Sequence, residues 1–442
     1  MSKDLKYIFR TYGCQMNEHD TEIMEGMLNE LGYTATDQEQ LADLIIFNTC
    51  SVRENADNKV FGEIGRMKNL KRENPNMLLA LCGCMAQQKS VVDRILKSYP
   101  QVDMVFGTHN IHKLPELIEQ AIFSHETIVD VWQTEGEIIE NLPRNRKDGI
   151  KACVTIMYGC NNFCTYCIVP HTRGRERSRS METIIDEIKQ LKDNGYKEVT
   201  LLGQNVNSYG KDLKEDIDFS DLLKRIDEIG IARIRFMTSH PKDFTDKLIN
   251  VIKNGKHICE QIHLPFQAGS DEVLKRMNRK HSREWYLERI KKIKENIPNV
   301  SLSTDIIVGF PDETEEQFEQ TIDIVRQVEF DLAYTFIYSP REGTPAANLA
   351  DTISVYDKKR RLQKLIEVQN EISKKKNLKY IGESVEVLVE GYSKTNPEKL
   401  TGRTRTNKIV NFIGGEDLIG QLVNIRIDSA KTWSLEGVYI NE

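Results

Sequence analysis

Three closely spaced cysteines, Cys160, Cys164 and Cys167, constrain this chain more than any other feature of its 442-residue sequence. Their C-x3-C-x2-C spacing places three thiolates on one short loop, where they can hold three irons of a [4Fe-4S] cluster and leave the fourth iron open. An open coordination position suits a metal that binds and activates a substrate. A structural zinc site needs four closed ligands, usually as two spaced pairs, and no second pair is near in the sequence. The loop therefore predicts an iron–sulfur cluster with a free corner.

The length and the composition predict a soluble protein of two or three domains. No apolar run reaches the roughly 18 residues of a membrane span, and residues 1–6 lack the apolar core of a signal peptide. We therefore expect a cytoplasmic protein that does not associate with membranes. Nine cysteines in a reducing compartment indicate metal or redox chemistry rather than disulfides.

Strands and helices alternate in the first part of the chain. Strands are predicted at residues 7–10, 44–47, 78–81 and 102–106, and helices at 20–31 and 55–74. Continuous apolar runs, such as the one at 44–47, are typical of strands that are buried on both faces of a parallel sheet. This pattern predicts an open parallel α/β domain over residues 1–140.

Cys14, Cys50 and Cys84 each follow one of these predicted strands. The carboxyl ends of parallel strands share one edge of a sheet, where ligands bind. A single cysteine at a strand end is often only a small buried side chain, but three at equivalent ends predict a second metal cluster. Cys82 still lies within its strand, so Cys84 is the preferred ligand.

A second α/β series follows a polar stretch at residues 135–149, which we interpret as a linker. Its strands are predicted at 152–157, 198–202, 233–237, 260–264, 301–308 and 332–338. Helical patterns separate most of them, for example at 181–194, 219–229, 282–296 and 314–328. Six βα units predict a partial (β/α)6 barrel over residues 146–378. Barrels of this kind carry their chemistry on the loops after the strands, and the Cys160 loop follows the first strand.

Short alternating strands at 384–389, 409–412, 422–427 and 435–438 predict a small β-barrel over residues 380–442, a fold type often used to bind RNA. The formal net charge of -6 does not indicate a nucleic-acid-binding protein, but totals can hide basic patches. Basic residues cluster at 173–179, at 358–361 with 374–376, and at 394–408. From these clusters we expect RNA contacts at Arg173, Arg175, Arg403 and Arg405.

Five stretches of the chain together resemble the methylthiotransferases among the radical S-adenosylmethionine enzymes, and within them most closely the members that modify tRNA. These stretches are TYGCQMN at 11–17, NTC at 48–50, CGCMAQ at 82–87, CNNFCTYCIVP at 160–170 and LGQNVNSYG at 202–210. The resemblance covers essentially the whole chain, including a C-terminal domain similar to TRAM.

The resemblance implies a set of cofactors and roles. Cys160, Cys164 and Cys167 would bind a [4Fe-4S] cluster whose open iron chelates S-adenosylmethionine, and one-electron reduction would release a 5′-deoxyadenosyl radical. A second [4Fe-4S] cluster on Cys14, Cys50 and Cys84 would carry or donate sulfur, and a second S-adenosylmethionine would supply the methyl group. The expected cofactor contacts are Tyr166, Gly203, Gln204, Asn205, Gln267, Ser270 and Gly309.

The implied substrate is the isopentenylated adenosine beside the tRNA anticodon, which is modified at C2. A flavodoxin or a ferredoxin is the implied electron donor, and we expect a monomer. Two other substrates remain open within the enzyme class: threonylcarbamoyl-adenosine in tRNA and an aspartate of a ribosomal protein. A non-catalytic iron–sulfur protein that binds RNA is a further alternative, which the open iron position disfavours.

Overall fold

The computed structural model describes residues 4–51, 54–124, 126–132, 134, 136–146 and 149–440. Residues 1–3, which contributed to the predicted localisation, and residues 135, 147 and 148 of the predicted linker lie outside this set. Within the described ranges, no helix is both long and apolar enough to cross a membrane.

The N-terminal part is an open, parallel α/β sheet, as predicted, and its strand order is β2-β1-β3-β4-β5-β6. Apolar side chains pack on both of its faces. The short strands β2 and β6 were not predicted, because two or three residues do not form a recognisable apolar run. The elements are β1 Lys6–Tyr12, α1 Gln15–Glu30, β2 Thr34–Ala35, β3 Leu44–Thr49, α2 Glu54–Glu73, β4 Leu78–Gly83, α3 Lys89–Ser98, β5 Met104–Phe106, α4 Leu114–Phe123 and β6 Ile128–Asp130.

The central part is the predicted partial barrel. Strands β7, β10 and β11 pair in parallel, β12, β13 and β14 do the same, and a bridge from Ile234 to Ile258 joins the two groups. The elements are β7 Lys151–Thr155, β8 Met157–Tyr158, α5 Val169–Thr172, β9 Arg177–Ser178, α6 Met181–Asp193, β10 Glu198–Leu202, α7 Phe219–Asp227, β11 Arg233–Phe236, α8 Asp246–Asn254, β12 Gln261–His263, α9 Asp271–Arg276, α10 Arg283–Asn296, β13 Ser301–Val308, α11 Glu315–Val328 and β14 Leu332–Ile337.

A long helix leads into the C-terminal part, which is a closed five-stranded barrel with the order β15-β16-β17-β19-β18. This confirms the predicted small barrel. Strand β16 was not predicted, because its sequence, NPEKLTGRT, is mostly polar and contains a proline. The elements are α12 Val355–Leu378, β15 Ser384–Ser393, β16 Asn396–Thr404, β17 Ile409–Ile413, β18 Leu422–Ala430 and β19 Leu435–Tyr439.

The small barrel docks on the amino-terminal ends of the central strands. Arg233, the first residue of β11, donates from Nη1 to the Arg403 carbonyl at 2.6 Å. Arg235 donates from Nη2 to the Thr404 carbonyl at 2.7 Å. The Cys160 loop follows the opposite, carboxyl-terminal end of its strand, so the small barrel and this loop lie at opposite ends of the central sheet.

Candidate iron–sulfur and cofactor site

Cys160, Cys164 and Cys167 lie on a loop that the antiparallel strands β8 and β9 close at its base. Cys160 and Cys164 are buried and Cys167 is half-buried. Asn162 Nδ2 donates a hydrogen bond to Cys160 Sγ at 3.3 Å. Burial raises the pKa of Cys160 to about 11 and that of Cys167 to about 12, so these thiols keep their protons until metal ions replace them.

Gly159 allows the two arms of this loop to touch. Its φ is +76°, and an added Cβ would lie 1.9 Å from the Arg175 carbonyl oxygen. Only glycine fits such a conformation at such a distance. The close approach sets the Cys160 backbone N–H against the Gly174 carbonyl, at 3.1 Å.

A half-buried arginine that sequence reasoning missed, Arg279, faces the three thiols of this loop. Arg279 donates from Nη1 to Cys164 Sγ at 3.6 Å and from Nη2 to the Pro265 carbonyl at 2.7 Å. Its segment also anchors the loop, because the Thr165 N–H donates to the Met277 carbonyl at 3.1 Å. Arg279 thus places a positive charge and a hydrogen bond beside one of the three proposed iron ligands.

Cys14, Cys50 and Cys84 converge from three separate strand ends. Cys14 caps the amino end of α1, Cys50 follows β3 and Cys84 follows β4. An added Cβ at Gly13 would lie 2.9 Å from Cys50 Cβ, which shows how closely the first two loops approach. A hydrogen bond from Cys50, helped by the charge of Arg173, lowers the pKa of Cys14 to about 6. Burial raises the pKa of Cys84.

Cys82 and Cys84 face different environments. Cys82 lies within β4, where its Sγ is 4.0 Å from Met24 Sδ in the apolar core. Cys84 Sγ instead accepts a hydrogen bond from Arg173 Nε at 3.2 Å. This difference supports Cys84 over Cys82 as the third ligand.

The donor sets of both triads fit iron–sulfur clusters. In the described part of the chain, no three histidine, cysteine or acidic side chains are placed to hold a single metal ion. A cubane cluster puts each thiolate on a different iron, so its cysteines stand farther apart than the ligands of one ion. Each triad offers three free thiols, which is the number that leaves one iron open.

The predicted cofactor contacts after β10 serve mainly to build their own loop. The Gln204 side chain accepts a hydrogen bond from the Gly159 N–H. Asn205 donates to Asp243 Oδ2 at 2.9 Å and accepts from the His240 N–H at 3.1 Å. An added Cβ at Gly203 would lie 2.7 Å from Met157 Cγ, which requires glycine for packing.

The remaining predicted contacts are placed differently. Gln267 has a φ of +71°, and its buried Oε1 has no hydrogen-bond partner among the described residues. Ser270 is buried at the start of α9. Gly309 donates its N–H to Glu313 Oε2 at 2.7 Å. Tyr166 packs against a small apolar cluster. Gln267 thus offers an unused polar atom to a ligand.

Two histidines beside Arg279 also offer unused polar atoms. Within the described ranges, His240 Nε2 and both ring nitrogens of His281 are buried without a hydrogen-bond partner. Their ring centroids are 5.9 Å apart. Burial and the charge of Arg279 lower the pKa of His281 to about 3 and hold the pKa of His240 far below its usual value. Both rings are therefore neutral near pH 7 and can bond to a polar cofactor. Sequence reasoning missed these two histidines, because only the structure shows that their buried ring nitrogens lack hydrogen-bond partners.

The structure contradicts one of the four predicted RNA contacts, Arg173, and holds a second, Arg405, in an ion pair. Arg173 has a side chain only 4% exposed and pairs with Asp20 at 2.6 Å, so it cannot reach an RNA phosphate at the surface. Arg405 forms a two-point ion pair with Glu260, at 2.8 and 2.9 Å, at the contact between the small barrel and the central domain. The prediction for Arg173 failed because sequence clusters of arginine do not reveal their acidic partners.

Arg175 and Arg403 remain at the surface. Arg175 is exposed and lies over the Phe163 ring, 4.4 Å from its centroid. The Arg403 side chain is 35% exposed, with Glu390 Oε1 at 3.4 Å. Most of the other residues in the three basic clusters form ion pairs with acidic side chains, for example Arg361 with Glu313 at 3.1 Å.

Comparisons with known proteins agree with this architecture. Three family models match successive parts of the chain: Uncharacterized protein family UPF0004 at residues 6–107, the Radical SAM superfamily at 154–325 and the TRAM domain at 378–440. The solved structure of the radical S-adenosylmethionine methyltransferase TsrM from Kitasatospora setae shares the fold, with a TM-score of 0.56 at 12% identity over 78% of this chain and 77% of that chain. Fold, cysteine loop and family match define a radical S-adenosylmethionine protein.

Relatives that match over the full length of this chain show which family of radical S-adenosylmethionine proteins it belongs to. A protein of Bacillus mycoides is 60% identical over 99% of this chain and 86% of its own length. Proteins of Anoxybacillus flavithermus and Geobacillus kaustophilus are each 59% identical over 100% of this chain and 84% and 83% of their own lengths. All three are named tRNA-2-methylthio-N(6)-dimethylallyladenosine synthase. The chain belongs to this family of methylthiotransferases.

Proposed function

We propose that this protein is a radical S-adenosylmethionine enzyme that methylthiolates C2 of N6-isopentenyladenosine next to the anticodon in tRNA. It uses two [4Fe-4S] clusters and two S-adenosylmethionine molecules. The observation that carries the proposal is the pair of thiol triads on adjoining loops of two domains, in a chain 60% identical over nearly its full length to a tRNA methylthiotransferase.

The chain's own residues supply binding and orientation. Cys160, Cys164 and Cys167 would hold the cluster that, when bound with S-adenosylmethionine and reduced, supplies a radical able to break the strong C2–H bond. Arg279 donates to Cys164 beside it. The neutral rings of His240 and His281 offer hydrogen bonds to polar groups of the cofactor.

The auxiliary triad would hold the second cluster close to the same base. Cys14, Cys50 and Cys84 are its proposed ligands, and Cys14 is the most exposed of the three. RNA bases become accessible where a single-stranded loop is splayed out, and the anticodon loop meets that requirement. We assign the domain that would hold the auxiliary cluster to residues 1–140, the radical S-adenosylmethionine domain to residues 146–378 and the small RNA-binding barrel to residues 380–442.

The electron donor that we propose is a flavodoxin or a ferredoxin, and the proposed state is a cytoplasmic monomer. Arg175 and Arg403 are the remaining candidates for contacts with RNA phosphates. The exposed position of Arg175 beside the Cys160 loop supports a role near the target base.

Nucleoside mass spectrometry of tRNA from cells with and without the gene tests this function. We expect 2-methylthio-N6-isopentenyladenosine only when the gene is present, and its unthiolated precursor when the gene is deleted. Loss of a methylthiolated threonylcarbamoyl-adenosine would instead assign the enzyme to that substrate. An unchanged tRNA nucleoside profile would contradict both assignments.

A further inference from the structure

One three-residue segment, 172–174, contacts the elements that carry both thiol triads. It begins at Thr172, the last residue of the short helix α5, which follows the Cys160 loop. The Thr172 carbonyl accepts a hydrogen bond from Thr108 Oγ1 of the N-terminal domain at 2.7 Å. The Gly174 carbonyl accepts from the Cys160 N–H at 3.1 Å. The backbone of the segment therefore ties the Cys160 loop to the loop after β5 of the N-terminal domain.

Arg173, in the middle of this segment, reaches the auxiliary triad with its side chain. Its Nε donates to Cys84 Sγ at 3.2 Å, and its Nη2 donates to Asp20 Oδ2 at 2.6 Å. Asp20 lies on α1, the helix that Cys14 caps. The guanidinium thus holds the segment after β4 and the helix after β1 together.

The burial of this pair requires a reason beyond packing. The side chains of Arg173 and Asp20 are only 4% and 3% exposed. A buried ion pair recovers its desolvation cost poorly, and apolar side chains of similar volume often stabilise a fold as well or better. The guanidinium does place a fixed positive charge and a hydrogen bond on Cys84 Sγ, which no apolar side chain provides.

We propose that Arg173 is a positioning residue that sets both the charge at the auxiliary cluster and its placement relative to the radical cluster. The inference rests on the proposed function, because it requires a cluster on Cys14, Cys50 and Cys84. Charge and hydrogen bonds at the sulfur ligands set the reduction potential of an iron–sulfur cluster. The Arg173 charge favours the reduced, more negative cluster, and Asp20 offsets part of that effect.

The test is the midpoint potential of the auxiliary cluster. It is measured by redox titration in the full-length chain after anaerobic reconstitution, with Cys160, Cys164 and Cys167 all replaced by alanine so that one cluster remains. Arg173→Gln should lower the potential, and Arg173→Lys should restore most of the loss because it keeps the charge. Asp20→Asn should raise the potential. Arg225→Gln is the control, since the Arg225 side chain is 62% exposed on α7.

The opposite signs separate an electrostatic role from a structural one. Damage to packing alone would move both variants in the same direction or cause both to lose iron. If Arg173→Gln loses its cluster, the proposal stands only when Arg173→Lys retains iron and Asp20→Asn still shifts upward. Potentials that match the parent in Arg173→Gln, or shifts of equal sign in Arg173→Gln and Asp20→Asn, overturn it.

A second readout uses the chain with both triads intact. Arg173→Gln should lower the methylthiolated product formed per 5′-deoxyadenosine by on the order of tenfold, as loss of an outer partner of a metal ligand typically does. An unchanged ratio counts against the placement role. A parent chain that binds only one cluster contradicts the proposed function itself, whereas a two-cluster parent with unshifted variants contradicts only the role of Arg173.

Discussion

The two thiol triads present the same donor set but are built in different ways. Cys160, Cys164 and Cys167 lie on one loop between two short strands. The auxiliary triad, by contrast, is assembled from three strand ends that are far apart in sequence. The first is a local structure that a few close contacts maintain, and the second exists only once the parallel sheet has formed. Each triad nevertheless has one arginine that donates to one of its thiols: the half-buried Arg279 to Cys164, and the buried Arg173 to Cys84.

This difference predicts that cleavage of S-adenosylmethionine and sulfur insertion respond differently to mutation. The local triad needs one domain only, so reductive cleavage of S-adenosylmethionine should survive damage to the auxiliary triad. Sulfur insertion needs both triads, and so depends on the contact between the two domains. Four predictions test this division, starting with the largest effect.

Cys164→Ala should abolish formation of 5′-deoxyadenosine, because it removes one of three ligands and leaves the cluster without a stable site. The measurement is 5′-deoxyadenosine produced under reduction by the reconstituted enzyme. Cys153→Ala, at a half-buried thiol of β7 outside both triads, is the control and should retain the parental yield. An unchanged yield in Cys164→Ala would remove this cysteine from the radical site.

Cys14→Ala should lose about half of the bound iron, since one cluster of two then lacks a ligand. Iron and sulfide analysis after reconstitution measures this loss. Cys82→Ala is the matched control, because Cys82 faces the apolar core rather than the triad. Full iron content in Cys14→Ala would exclude it from the auxiliary site.

Gly159→Ala should lower iron occupancy at the radical site by on the order of tenfold, because the new Cβ clashes with the backbone that holds Cys160. Gly195→Ala is the control for backbone strain. Its φ is +89°, but an added Cβ there meets no described atom within 4 Å. It should cost only about 1–2 kcal/mol of stability and no iron. Equal iron loss in both variants would contradict the proposal that the close backbone approach at Gly159 positions Cys160.

Acidification should weaken the contact between the two domains through His19. This buried ring lies 3.3 Å from Thr155 Oγ1 of β7, and burial, followed by the charge of Arg144, lowers its pKa to about 3. The unfolded chain takes up the proton near pH 6.5 but the folded chain does not, so stability falls as pH drops below 6.5. Between pH 6.5 and 5.5 the loss reaches about 1 kcal/mol.

Urea unfolding at the two pH values measures this effect. The surrounding charges, Glu187, Arg179 and Arg146 besides Arg144, are unchanged in His19→Gln, so that variant isolates the ring. It should show a smaller loss of stability on acidification than the parent. The same loss in both proteins would assign the pH dependence to other groups.

The sequence predicted those parts of the protein that follow from local or repeated residue patterns. The apolar runs at 44–47 and 78–81 identified fully buried strands. The cysteine spacing at 160–167 predicted a cluster on one loop, where the structure places three free thiols. The auxiliary triad was predicted because parallel strands end at a common edge. The polar strand β16 was missed because backbone pairing with β15 and β17, rather than an apolar pattern, holds it in place.

The sequence could not predict the ion pairs and hydrogen bonds that join residues far apart in the chain. Arg173 and Arg405 belong to basic clusters, yet each is neutralised by a carboxylate more than one hundred positions away in the chain, Asp20 or Glu260. The role of Arg279 likewise depends on a thiol that is distant in sequence. A glycine that immediately precedes Cys14, Cys84 and Cys160 was a local signal for close backbone approach, and it was available from the start.

The most direct test of the division between the triads compares the parent with Cys14→Ala on isopentenylated tRNA. Both reconstituted enzymes receive S-adenosylmethionine and a reductant, and mass spectrometry measures 5′-deoxyadenosine and the methylthiolated nucleoside in each reaction. The parent should form both products, and Cys14→Ala should form 5′-deoxyadenosine alone. Methylthiolated nucleoside from Cys14→Ala at the parental level would contradict the assignment of sulfur insertion to the auxiliary triad.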